Sequence, residues 1–194
     1  YCLNRKSISS FEFKNIQHVN NIASNGLDLV FLGGGSTTPL SLFHVNAKNK
    51  ALRLLTPYHQ EKIDADYISS PQIIEFKTSQ LENCYALFYS PKNKEYSYQI
   101  NEKPPLIIKI HGGPTLQADV FLNYKIQYFT SRGFAFIDLN YRGSTGFGRS
   151  YREKLQGNWG VTDVEDVIHC VSHVINLNLV DKNNIFITGG SAGG

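Results

Sequence analysis

The 194-residue chain closes on Thr188-Gly189-Gly190-Ser191-Ala192-Gly193-Gly194. Gly189 to Gly193 has the G-x-S-x-G form that can present a serine nucleophile in a sharp turn between a strand and a helix. A serine held in such a turn leaves no room for side chains two residues before and after it, which accounts for Gly189 and Gly193. A second run, His111-Gly112-Gly113-Pro114, suits the other requirement of acyl transfer. Negative charge develops on the former carbonyl oxygen, and each backbone N–H aimed at it contributes on the order of 3 kcal/mol. Pro114 has no N–H, while Gly113 can bring its own close to a ligand. Ser191 is therefore the candidate nucleophile, and the N–H groups of Gly113 and Ala192 the candidate oxyanion hole.

A lone G-x-S-x-G arises easily by chance, so the elements around it must agree. Ile185-Phe186-Ile187-Thr188 reads as a short strand leading into the serine, and Leu106 to Ile110 as a strand leading into His111. Residues 119–131 suit a helix with Phe121, Leu122, Ile126 and Phe129 inward, stopped at Gly133, and Phe134 to Leu139 suits the next strand. Thr162 to Leu177 reads as a helix burying Val164, Val167, Ile168, Val171, Val174 and Ile175, with Thr162 and Glu165 as a capping box. Strand and helix alternate from residue 106, which implies a parallel sheet covered on both faces. Before it, Gln72 to Lys77 and Cys84 to Tyr89 make a hairpin.

Residues 1–70 read as antiparallel β: Phe11 to Lys14, Leu27 to Leu32, Leu42 to Val45 and Ala51 to Leu55, with Gly33 to Pro39 as a loop. One meander cannot close a core, so this region is expected to end a larger repeated sheet such as a propeller. The expected class is α/β: the N-terminal half of an α/β-hydrolase domain (71–194, incomplete) preceded by the C-terminal part of a β-propeller (1–70).

Bulk properties exclude several alternatives. A formal charge of +3 with no long basic run argues against a nucleic-acid partner, and no apolar run is long enough for a membrane span. Cys2, Cys84 and Cys170 are odd in number and widely spaced, against a disulfide framework or a zinc site, and lean the compartment to the cytoplasm. The chain starts at Tyr1 and contains no Met, so both ends are read as cuts in a longer protein.

HGGP and the elbow, read with Asn140-Tyr141-Arg142-Gly143-Ser144-Thr145-Gly146-Phe147-Gly148 and Gly157-Asn158-Trp159-Gly160, resemble the prolyl oligopeptidase family of serine peptidases, nearest its acylaminoacyl-peptidase and dipeptidyl-peptidase branches. The resemblance implies a hydrolase whose Ser191 attacks the carbonyl of short peptides behind a propeller, without cofactor or metal. It also implies a triad in the order Ser, Asp, His. All six histidines (His18, His44, His59, His111, His169, His173) precede Ser191, so none carries over as the base, and these 194 residues alone are expected to be inactive. Alternatives are a carboxylesterase on the same fold and a non-catalytic remnant or interaction module. Oligomeric state and exo or endo action are not readable.

Several other features take plainer readings. Gly33 to Thr37 lacks the G-K-[ST] of a phosphate loop. His169 and His173 have zinc-ligand spacing but are placed on a solvated helix face. Asp163, Glu165 and Asp166 are explained by a first helical turn, His111 by a structural role in its loop, and Cys84 and Cys170 by the core. Asp138, on a buried strand, needs a partner, for which Arg142 is the candidate.

Overall fold

A computed structural model of the chain describes residues 11–56 and 63–194; Cys2 and His59 lie outside them. The chain divides into two compact units, the first holding the described residues up to 56 with Val120–Leu122, the second 63–119 and Asn123–Gly194.

The first unit is a four-stranded antiparallel sheet in sequence order: β1 (His18–Ser24), β2 (Asp28–Gly35), β3 (Thr38–Asn46) and β4 (Leu52–Leu54). Alternation places Phe31, Phe43 and Val45 in its core. The expected strand at Phe11 to Lys14 does not form, and β1 takes its place. Its mostly exposed HVNNIAS run lacks an apolar signal. Gly33 to Gly35 lie in β2 rather than in a loop, which shrinks to Ser36 and Thr37. The glycines serve close approach: a Cβ on Gly34 would sit 2.7 Å from the Phe121 Cβ, and one on Gly35 would overlap Asn15 O.

The second unit is a five-stranded mixed sheet built from β5 (Gln72–Lys77), β6 (Asn83–Tyr89), β7 (Leu106–Ile110), β8 (Ala135–Asn140) and β9 (Ile185–Gly189). The order is β5-β6-β8-β7-β9, with β8, β7 and β9 parallel and β5–β6 joined antiparallel as a hairpin. Three helices follow the chain: α1 (Tyr124–Thr130), α2 (Arg149–Glu153) and α3 (Thr162–Asn176). The fold is thus α/β, as expected. Leu106, Ile108, Ala135, Ile137, Leu139, Cys84, Cys170 and Val174 form the core on one face. Burial pushes the Cys84 thiol up to about 12, consistent with an inert core residue.

Three expectations need correction. α1 starts at Tyr124 because the Asn123 side chain accepts from the N–H groups of Lys125 and Ile126, an N-cap that shortens the expected helix and leaves Phe121 and Leu122 outside it. α3 has no capping box: its Val161 cap makes no side-chain bond, and Asp163 Oδ1 instead accepts from Gly160 N–H at 2.7 Å. Of its expected apolar face, Val174 is buried and Val167, Val171 and Ile175 pack against the core, but Val164 and Ile168 are exposed, and Thr162, Asp166 and Cys170 are buried instead. Asp166, on the buried side of the helix, meets a cation described below.

Asp138 is not paired with Arg142. Its partner is Lys109, its register neighbour on β7, with Nζ 2.7 Å from Oδ2. Burial holds the Asp138 carboxyl above the usual range, opposed by Lys109. In Lys109→Met that opposition is gone, and folded Asp138 keeps its proton to higher pH than unfolded Asp138 does. The folded state then binds more protons, so stability falls as pH rises above the unfolded aspartate value of about 3.9. The gap in thermal midpoint between variant and parent is expected to be wider at pH 7 than at pH 4; a gap independent of pH would refute the pairing.

Candidate active site

β9 hands the chain to Gly190 and then to Ser191, which opens a single 3-10 turn, Ser191–Gly193. Ser191 has φ 57°, the left-handed region that a side chain enters at a cost of about 1–3 kcal/mol. The neighbouring glycines let the surrounding backbone impose it. A Cβ on Gly189 would overlap Gly193 O, and one on Gly193 would overlap Ile110 O and lie 2.8 Å from His111 O. The elbow therefore crosses the end of β7 in backbone contact. A Cβ on Gly112 would stand 3.1 Å from Gly190 O, 3.4 Å from Ser191 Cβ and 3.9 Å from Ala192 N. Two segments far apart in sequence, HGGP and GGSAG, are thus brought together, and parallel pairing of β7 with β9 is the reason: Ile110 is in register with Gly189.

Gly113 has φ 118°, a conformation suited to glycine. Neither its N–H nor that of Ala192 donates a hydrogen bond among the described residues. Ser191 Oγ likewise has no hydrogen-bond partner among them.

The HGGP loop is clamped from β8 and the turn after it. Tyr141, buried at that strand end, donates its hydroxyl to Pro114 O at 2.6 Å and lies 3.2 Å from His111 O. Its ring stacks on His111 at 4.3 Å between centroids. His111, 5% exposed, is fixed at both nitrogens, with Nδ1 2.9 Å from Gly112 O and Nε2 2.7 Å from Ser144 Oγ. Burial pushes its pKa down. Both ring nitrogens are therefore committed to the loop.

A second network, missed at the level of sequence, braces the same turn. Arg142, next to Tyr141, meets Asp166 of α3, which is 0% exposed: backbone N–H to Oδ2 at 2.7 Å and Nε to Oδ1 at 2.9 Å. Thr78 Oγ1 donates to Asp166 Oδ1 at 2.6 Å, while Ser79 Oγ accepts from Arg142 at 2.8 Å and donates to Glu165 at 2.5 Å. Asp166 is thus a buried ion-pair partner rather than a first-turn dipole residue. Of the i, i+4 histidine pair, His169 Nδ1 lies 2.7 Å from Glu165 O and His173 stacks on Phe76 at 5.7 Å.

Comparisons with known proteins bear on the chain as a whole. Residues 120–194 match the model of the prolyl oligopeptidase family. A solved puromycin-hydrolyzing peptidase of Mycobacterium tuberculosis superposes on the whole chain with TM-score 0.95 at 33% identity. The chain belongs to the prolyl oligopeptidase family. Acylamino-acid-releasing enzyme 1 of rice, Oryza sativa subsp. japonica, is 35% identical over 98 residues, half of this chain. A puromycin hydrolase solved in complex with PGG covers 93% of it at 30% identity and TM-score 0.88. The chain spans 13% of the rice enzyme and 29% and 28% of the two solved chains. Within a prolyl oligopeptidase family chain, the glycines at 112, 189 and 193 are explained by backbone contact alone, and Tyr141, Ser144, Arg142 and Asp166 by the bracing of the loop between β8 and α2. Among the described residues no helix is long and apolar enough to cross a membrane.

Proposed function

We propose that this chain is part of a serine peptidase that cleaves short peptides through an acyl-enzyme on Ser191. The observation that carries the proposal is Ser191 at φ 57° in a turn packed against the HGGP loop. Ser191 Oγ attacks the scissile carbonyl carbon, and its proton passes to a general base. The carbonyl oxygen becomes the oxyanion, received by the Gly113 and Ala192 N–H groups, which make no other hydrogen bond among the described residues. Collapse expels the protonated amine, and water then releases the acyl group by the same steps in reverse. The base and its acid partner are the His and Asp that family order places after the serine. Residues 71–194 are assigned to an α/β-hydrolase domain and residues 1–70 to the end of a propeller, which the antiparallel four-stranded sheet suits. The free, buried Cys84 and Cys170 suit a reducing compartment such as the cytoplasm.

The test uses the full-length protein that contains these residues. A fluorophosphonate is expected to label it at Ser191, and acyl-peptide amides are expected to be turned over in preference to simple esters. Absence of labelling would favour the non-catalytic reading, and a preference for esters the carboxylesterase. A polypeptide of residues 1–194 is expected to give no peptide turnover, since His111 is committed to Gly112 and Ser144 and no other described histidine reaches the serine by a hydrogen bond.

A further inference from the structure

The turn between β1 and β2 holds the one Asn-Gly pair of the chain, Asn25-Gly26. In such a pair the backbone nitrogen of the glycine can attack the side-chain carbonyl carbon of the asparagine, closing a five-membered ring with no second molecule to bring in. Ring closure is an acyl transfer, and the hydrogen bonds of this turn suit it. Asn25 Oδ1 accepts from Leu27 N–H at 3.0 Å and from Asp28 N–H at 2.8 Å. Two backbone donors thus face the oxygen on which negative charge develops. On the nucleophile, Gly26 N–H donates to Ser24 Oγ at 3.0 Å, which gives its proton a path to water.

The amide is oriented from its other end, where Nδ2 donates to Asp28 Oδ2 at 3.5 Å. Hydrogen bonds with Asn46 and His44 hold the Asp28 carboxyl below its usual range. At neutral pH it is an anion that only accepts, so it keeps Nδ2 on its side and leaves Oδ1 to the two N–H groups. Gly26 has φ 93°, and a Cβ built on it would have no atom within 4 Å, so the turn has room to close the ring. Residues 24–27 are all exposed, which lets water reach the product.

Asn93 shows what is particular to this turn. Its Oδ1 also accepts two backbone N–H groups, from Glu95 at 2.8 Å and Tyr96 at 3.2 Å. Lys94 follows it, however, and a side chain on the residue that supplies the nitrogen crowds the ring. Asn93 Nδ2 is moreover tied to Ser131 O at 2.8 Å.

We infer that Asn25 is a site of self-modification by deamidation. Gly26 N bonds to Asn25 Cγ, the Cγ–Nδ2 bond breaks, and ammonia leaves with the proton that Gly26 N gives up. Water then opens the succinimide at either carbonyl, leaving aspartate or isoaspartate at position 25. The change falls on the first unit and is independent of Ser191. A carboxylate at 25 faces Asp28, whose Oδ1 lies 2.9 Å from His44 Nε2 and accepts from Asn46 at 3.0 Å on β3. Isoaspartate also lengthens the main chain where Asn25 N–H donates to Asp28 O at 3.2 Å.

The full-length protein, aged in neutral buffer and mapped by mass spectrometry beside a synthetic peptide of residues 20–30, tests this. Asn25 is expected to convert about tenfold faster in the protein than in the peptide, the scale of two hydrogen bonds held ready for the developing charge. Part of the product is expected to accept a methyl group from an isoaspartyl methyltransferase, and Asn93 is expected to stay an amide in the same samples. Conversion in the protein no faster than in the peptide would overturn the inference, because the turn would then hinder closure. Asn93 converting as fast as Asn25 would overturn it as well.

Discussion

Ser191→Ala in the full-length protein is expected to lower peptide turnover by about 10⁶-fold, the loss seen when the nucleophile of a well-studied serine protease is removed. The size follows from the proposed mechanism. Without Oγ no acyl-enzyme forms, and the N–H groups of Gly113 and Ala192 can assist only direct attack by water. Loss of fold would also abolish activity, and the strained backbone separates the two. Alanine inherits the φ of 57° and relieves nothing. Ser191→Gly removes the side-chain penalty of the left-handed region and is expected to be at least as stable as Ser191→Ala, and equally inactive. Thermal midpoints measured beside kcat for both variants check this. Residual activity within a hundredfold of the parent would place the nucleophile elsewhere.

Asp166→Ala is expected to destabilise the second unit by about 3–5 kcal/mol, the cost of leaving a buried charge without its partner. Arg142 is 5% exposed and donates to that carboxylate from both its backbone N–H and its Nε. Glu165, more exposed, reaches the guanidinium only at 3.3 Å and replaces little of this. Since Arg142 directly follows Tyr141, the damage extends to the clamp on HGGP, and activity is expected to fall before global unfolding. Denaturant titration of Asp166→Ala and of Arg142→Met/Asp166→Leu checks the mechanism. The double variant removes both charges, so it should be the more stable of the two; the reverse order would show that packing, and not the unpaired cation, sets the loss.

What was legible in the sequence was what local chain chemistry dictates. Gly189, Ser191, Gly193 and HGGP stand out because a sharp turn and a close backbone crossing each exclude a Cβ, wherever the rest of the chain goes. The strands β5 to β9 were legible for a similar reason, since runs such as Leu106 to Ile110 have one use in a chain of this composition. Choices among equivalent partners were not legible. Asp138 and Asp166 both needed a cation, and only the parallel register of β7 on β8 gives Lys109 to the first and leaves Arg142 for the second. The start of α1 was missed because an asparagine cap at Asn123 competes with apolar residues that fit the helical rhythm on either side of it.

The strand order β5-β6-β8-β7-β9 has a temporal meaning. β5 and β6 are close in sequence and can pair at once, whereas β7 waits for β8 on one side and for β9, beyond α3, on the other. Closing that last gap carries the largest loop-entropy cost among these pairings and belongs late in folding. On the ribosome, HGGP emerges well before the serine and stays without its counterpart until β9 docks. Backbone crossing at Gly112 and Gly193 is made by that same event, so the turn that carries Ser191 and the pairing of β7 with β9 form together. A chain caught part-way through refolding would carry Ser191 in its sequence but not yet the turn that exposes it.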